Sequence, residues 1–290
     1  MKNDKFAIFI LTHGRPDHVS TYKSLKRHGY TGEIYIIIDN EDETAPRYKE
    51  LFGDRVIVFD KKAVAATFDT ADNFDDRRSV VFARNASYSI ARDLGLDYFM
   101  QLDDDYPYFS FTFDRNMRYI VNNGLLYVNK FDEMLDILLE YYKSTNLLTL
   151  SIGQRGDFIG GYKSSRASVV NTSRKAMNVF LCSTSRPFQF VGRVNEDVNT
   201  YTSLGNRGGL FLTTFQVTIQ QEDTQTKRGG MSELYKSEGT YIKSFYTVMY
   251  CPSAVKVGVL VNQDTRIHHR INWPCAVPRI LSEDCRKASS

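Results

Sequence analysis

Asp103, Asp104 and Asp105 stand side by side directly behind an apolar run, in the stretch "DYFMQLDDD". In an exposed turn three adjacent carboxylates cost little, because water and salt screen them. At a strand's carboxyl edge inside a cleft they need a counter-charge or take up protons. A divalent cation supplies that charge. Mg2+ prefers oxygen ligands and keeps waters alongside one or two carboxylates and substrate phosphates. Alternate residues of an extended segment share a face, so Asp103 and Asp105 are the expected pair and Asp104 points away.

A second acidic group stands in "VNEDVNTYTSLGNRGG". Asn195 reads as a helix N-cap, Glu196 and Asp197 as its first turn, and Gly205 as its C-terminal cap. Acidic residues at a helix N-terminus are stabilising in their own right. The functional alternative is that one of the two is a general base, held ionised and fixed in direction by the helix end. In "DTRIHHRINW" an extended reading puts Ile267, His269 and Ile271 on one face, and Arg266, His268 and Arg270 on the other. The second set suits a diphosphate and its metal. A packed histidine beside a solvated arginine is the bland alternative, and His268 is preferred to His269 as the lining residue. Arg84 and Asn85 fall on the helix leading into the acidic strand, with Arg77 and Arg78 ahead of it. Such arginines either pair with the carboxylates or bind phosphate.

The elements that must position these groups follow from periodicity. Phe6 to Leu11, Glu33 to Asn40, Arg55 to Asp60 and the run before the aspartates are apolar stretches of strand length. Helices are expected over Asp17 to His28, ended by Gly29, and Ser79 to Leu94, stopped at Gly95. Strands alternating with helices, with polar residues where each strand ends, argue for a mostly parallel sheet with its site at the carboxyl edge. Further on, Phe131 to Thr145 reads as an amphipathic helix followed by a strand. Gly209 to Gln220 alternates, with Phe211, Thr213, Phe215, Val217 and Ile219 on one face. "IKSFYTVMYCPSAVKVGV" reads as one or two more strands.

The chain has 290 residues, 42% hydrophobic and 24% charged, the profile of a soluble globular protein with a real core. Aromatics reach 13%, most of them assigned to the core. The net charge of +3 shows no strong grip on nucleic acid, although a local patch can hide in a near-balanced sum. Cys182, Cys251, Cys275 and Cys285 lack metal or disulfide spacing. The N-terminus does not read as a signal peptide and no run approaches a membrane span, so a cytoplasmic location is expected, a host's if the chain is viral. No repeat or linker is visible. One domain is expected over 1–281, with 1–110 binding the nucleotide and 111–281 the acceptor, and a tail over 282–290.

Taken in order, "ILTHGRPDHVSTYKSL", Asp39 closing the second strand, "ARNASYSIARDLGLDYFMQLDDD", "FVGRVNEDVNTYTSLGNRGGLFLTTFQVTIQQEDTQTKRGGMSELY", "GTYIKSF" and a late histidine resemble the TET-associated glycosyltransferases of phages and other genomes. The resemblance implies a GT-A-like, Rossmann-type α/β fold, its mostly parallel sheet flanked by helices, with extra strands in the C-terminal half. It implies transfer of a sugar from a UDP-sugar to 5-hydroxymethylcytosine in double-stranded DNA, with phage arabinosyltransferases as near relatives. By the same resemblance Thr12, His13, Gly14 and Arg15 line the nucleotide pocket, and Asp39 meets the uracil or ribose. Arg84, Asp103, Asp104 and Arg270 belong to the donor site. Asp103 and Asp105 hold Mn2+ or Mg2+, with His268 or His269 completing the shell, and Glu196 or Asp197 activates the acceptor hydroxyl. Lys163, Arg166, Arg174, Lys175, Lys227 and Arg228 are expected to meet DNA phosphates. The rival readings are the same fold acting on a glycan or protein, a non-catalytic DNA-binding protein, and a nucleotidyltransferase. The last lacks its usual Gly-rich phosphate loop.

Overall fold

The computed structural model describes residues 5–71, 75–120, 125–155, 170–222, 242–261 and 265–286. Ten strands form one sheet: β1 (Phe6–Leu11), β2 (Glu33–Asp39), β3 (Val56–Phe59), β4 (Tyr98–Asp103), β5 (Tyr108–Phe111), β6 (Leu126–Tyr127), β7 (Thr149–Gln154), β8 (Val170–Asn171), β9 (Phe180–Ser183) and β10 (Phe211–Gln220). Their order is β3-β2-β1-β4-β9-β7-β10-β5-β6, with β8 also on β10. The block β3-β2-β1-β4 is wholly parallel, as is the pair β7 and β10. Between them β9 runs antiparallel to both neighbours, which restores the direction of β4 to β7. Only β9, β5 and β8 oppose the common direction. A second sheet is the antiparallel hairpin of β11 (Val255–Val261) and β12 (Thr265–Ile271).

Alternation within β1 explains its unbroken apolar run. Ile8 and Ile10 face one core, where Ile34, Ile36, Met100 and Leu102 meet α1 (Ser20–Arg27) and α5 (Phe131–Lys143). Ala7, Phe9 and Leu11 face the other, where Ile37 and Phe99 meet α4 (Val81–Asp93) and α6 (Glu196–Asn206). Parallel strands covered on both faces have no polar side to show. The helix α2 (Ala45–Phe52) and the short α3 (Lys61–Ala65) flank the edge at β3.

Three expectations need correction. The stretch read as strand before β11 is helical over 242–250, and its inward face carries Ser244, Tyr246 and Thr247, residue types that mask a helical period. β10 is buried on both faces and its alternation is broken: Phe211 joins one core while Leu212, Val217 and Ile219 join the other, across a register shift against β7 between Thr214 and Thr218. Asn195 precedes α6 in a left-handed conformation (φ 56°) and makes no side-chain cap. The sheet runs on across the expected boundary near residue 110, since β4 pairs with β9. Beyond it, Cys285 is buried and the Ser282 N–H donates to Gly208 O. All four cysteines are free, and no described helix is long and apolar enough to cross a membrane.

Candidate active site

β4 ends at Asp103, and the two carboxylate oxygens there are gripped separately. Arg84 Nη2 donates to Oδ1 at 3.0 Å, and the buried Tyr106 hydroxyl donates to Oδ2 at 2.9 Å. Arg84 reaches this point because α4 packs on the face of β1 and β4 that carries Phe9 and Phe99, and Gln101 Nε2 donates to its backbone carbonyl. The guanidinium is 2% exposed and lies 4.9 Å from the centre of the Phe180 ring. Its Nε donates to Glu196 Oε1 at 3.0 Å. One cation that cannot lose its proton therefore joins the acidic edge to the start of α6. Arg84 pairs with both carboxylates, and its buried Nη1 has no partner among the described residues.

Asp104 turns away from its neighbours, as parity requires. It is 1% exposed, accepts from Thr12 Oγ1 at 2.5 Å, and pairs with Arg15 Nη2 at 2.9 Å. Burial pushes its carboxyl up, with Arg15 opposing. The loop after β1 is thereby tied to the triplet. Tyr48 of α2 adds a hydroxyl shared with Thr12 and accepts the Arg15 N–H. Gly14 sits at φ 69°, where a side chain would strain the backbone, and its N–H donates to Asp42 Oδ2 at 2.8 Å. Asp39 is also enclosed: His13 Nδ1 lies 2.8 Å and Lys61 Nζ 3.2 Å from its Oδ2. The bond to Asp39 raises the His13 pKa, and His13 remains half exposed. Against burial, His13 and Lys61 hold Asp39 low. A surface cavity on the outer side of this loop is lined by Gly14, Arg15, Pro16, Thr44, Pro46 and Arg47, and the triplet is not in its wall.

Asp105 is the uncompensated member. Gln221 Nε2 donates to Oδ2 at 3.2 Å, but its buried Oδ1 has no partner among the described residues. Burial, with Asp103 and Asp104 close by, pushes its carboxyl up to about 7. A carboxylate pair short of positive charge, with an orphaned buried oxygen, fits a divalent cation. Among the described residues no three histidine, cysteine, aspartate or glutamate side chains converge as a ligand set. The late histidines are thus not assembled with Asp103 and Asp105 here. Along β12, His269 is 5% exposed and Arg270 is exposed and donates to Val259 O within its own hairpin, while the His268 and His269 rings lie 4.3 Å apart, so the two histidines do not divide cleanly between opposite faces. His269, not His268, is the enclosed imidazole.

At the start of α6, Asn195 Nδ2 donates to Lys243 O at 2.6 Å and to Thr247 Oγ1 at 3.2 Å. Burial raises the carboxyls of Glu196 and Asp197 above the usual range, with Arg84 opposing in both. Lys175 and Lys243 also act on Asp197. Arg174 lies 5.6 Å from the centre of the Phe215 ring. Lys163, Arg166, Lys227 and Arg228 lie outside the described residues. Sequence reasoning missed Tyr106, Tyr48, Asp42, Lys61 and Lys243. Apart from the bond between Tyr106 and Asp103, their contacts at the site join residues of separate elements, which leaves no periodic trace. Only Tyr106, three residues past Asp103, was near a motif.

A helix-flanked, mostly parallel sheet carries a carboxylate cluster at its edge, linked through Arg84 to a second acidic pair at a helix start, where α/β folds of this kind place their ligand sites. The family model for TET-associated glycosyltransferases matches residues 6–230, and the chain belongs to that family. No curated protein matches it. Among solved structures, a mycobacterial protein is 10% identical with a TM-score of 0.48, covering 92% of this chain and 84% of that one. Glucosyl-3-phosphoglycerate synthase from Mycobacterium tuberculosis, in complex with Mg2+ and uridine diphosphate, is 11% identical with a TM-score of 0.45, covering 92% and 87%. The same synthase with Mn2+ and UDP-glucose is 10% identical with a TM-score of 0.46, covering 93% and 90%. These are distant likenesses.

Proposed function

We propose that this glycosyltransferase moves a sugar from a UDP-sugar to the hydroxyl of 5-hydroxymethylcytosine in DNA, using Mn2+ or Mg2+ at Asp103 and Asp105. The observation that carries the reading is the Arg84 bridge, which sets a donor-side carboxylate and an acceptor-side carboxylate on one buried guanidinium. Bound at the acidic edge, the cation would neutralise the charge that grows on the departing diphosphate. Arg84 and Tyr106 fix the rotamer of Asp103, so its remaining lone pairs keep one direction. Thr12, His13, Gly14 and Arg15, braced by Asp39, Asp42 and Asp104, frame the nucleotide. Glu196 gives Oε1 to Arg84, which leaves Oε2 to take the acceptor's proton. Burial lifts its proton affinity towards the range a general base needs. Asp197, with Oδ1 accepting the Val198 N–H, is the alternative base. A hydroxymethyl group on a duplex base lies in the major groove, so the enzyme works there or extrudes the base. Arg174 and Lys175 serve as phosphate contacts.

The test is mass spectrometry of nucleosides from hydroxymethylated and unmodified duplexes, each incubated with a panel of UDP-sugars. A sugar adduct on the hydroxymethylated duplex alone is expected. Equal labelling of both duplexes refutes the acceptor, and full activity in excess chelator refutes the cation.

A further inference from the structure

We infer that Gln221, Gln154 and Asn178 form a relay of side-chain amides that fixes Asp105 relative to Asp103, which makes them positioning residues for the cation. The cation is that of the function proposed above, and the inference deepens that reading.

Three strand termini supply the relay. Gln154 closes β7, Asn178 stands two residues before β9, and Gln221 directly follows β10. These strands succeed β4 in the order β9, β7, β10. Gln154 pairs with Ile219 of β10, so Gln221, two residues further along an extended chain, faces the same way. Gln154 Nε2 accordingly donates to Gln221 Oε1 at 3.1 Å, and Gln221 Nε2 donates to Asp105 Oδ2 at 3.2 Å. Asn178 Nδ2 donates to Gln154 Oε1 at 3.5 Å, the longest link. Every amide thus turns its nitrogen end towards Asp105. The Glu222 N–H donates to Asp105 O at 3.0 Å, which fastens the chain just after Gln221 to the backbone of Asp105.

The other end returns to Asp103. The Tyr106 hydroxyl, which donates to Asp103 Oδ2 at 2.9 Å, also lies 3.0 Å from Asn178 O. Asn178 aims its carbonyl at Tyr106 and its amide at Gln154 from a backbone at φ 66°, a region that asparagine enters more readily than most residues. A continuous path of polar contacts therefore runs from Asp103 through Tyr106, Asn178, Gln154 and Gln221 to Asp105.

The chemistry of the path suits a cation site. An amide carries donors and an acceptor without charge, so amides can be strung in series. Aligned in one direction, they polarise one another. A lysine or arginine in the place of Gln221 would neutralise Asp105 and compete with the metal. Gln221 instead occupies Oδ2 and leaves the buried Oδ1 without a partner among the described residues. Groups that orient a ligating carboxylate are worth about 10- to 100-fold in metal affinity.

Two measurements decide it. In a parent protein that binds Mn2+, followed by electron paramagnetic resonance of the free ion, Gln221→Leu should weaken binding about tenfold. Gln154→Leu should weaken it less, and the double variant should bind like Gln221→Leu alone, because Gln154 acts through Gln221. Unchanged affinity in Gln221→Leu, or losses that multiply in the double variant, overturns the inference. The second measurement needs no metal. Asp105→Asn should shift the side-chain amide 15N resonance that Gln154→Leu deletes, two links away, and Gln221→Leu should abolish that response. An unmoved Gln154 amide overturns the relay. A shift there in a parent that binds no Mn2+ supports the relay and rejects only the cation proposed above.

Discussion

Arg84 holds two carboxylates on one guanidinium, at a depth where neither could stand alone. Arg84→Met should therefore destabilise the fold by about 3–5 kcal/mol, since it leaves Glu196 buried without a counter-charge and Asp103 with Tyr106 alone. Adding Glu196→Gln should recover part of that loss in urea unfolding. His28 offers a pH-dependent test away from the site. It is 3% exposed, with Nδ1 2.6 Å from Val128 O and Nε2 accepting the Phe109 N–H, so the neutral ring donates from Nδ1. Burial lowers its pKa below 6.5. The unfolded chain then takes up a proton that the folded ring refuses. The contribution is complete above pH 6.5 and is lost as pH falls towards the folded value. His28→Gln should flatten that part of the melting-temperature profile between pH 7 and 5. Legibility at this scale was uneven. The triplet and "NED" could be seen because adjacent carboxylates are conspicuous. The distinct duties of Asp103, Asp104 and Asp105 depend on Tyr106, Thr12 and Gln221, which lie in different elements.

At the level of elements, the parallel block was readable because strands buried on both faces become continuous apolar runs, and Gly29 and Gly95 end their helices at positive φ. The helix over 242–250 was hidden by its tyrosines, threonine and valine, which favour strands in isolation; tertiary packing of Tyr246 and Thr247 overrides that preference. β9 is four residues long, too short to stand out. The entry to α6 was misread for a related reason. Asn195 looks like a cap, yet it spends its amide on the neighbouring helix. Asn195→Ala should cost about 1–3 kcal/mol, combining a left-handed alanine with two lost hydrogen bonds. Asn195→Gly should fall nearer the parent, because it relieves only the backbone part. Chemical denaturation of the three proteins orders them.

Across the whole molecule, β4 joins β9 and so binds the N-terminal half to strands from the C-terminal half in one sheet. Unfolding should then show a single transition, with Trp273 fluorescence and far-UV circular dichroism coinciding. Trp273, the one tryptophan, reports well because it stacks on Tyr201 of α6 at 5.8 Å between centroids. Two separated transitions would divide the halves. The reversal at β9 has a further outcome. β7 finishes, and β9 begins, on the rim where β4 delivers its aspartates, since Phe180 pairs with Gln101. The chain therefore leaves β7 and enters β9 at the same rim. Because β8 on β10 and the Asn178 carbonyl under Tyr106 both lie between those two strands, any graft there must return the chain through them if Asp103 is to keep its bracing.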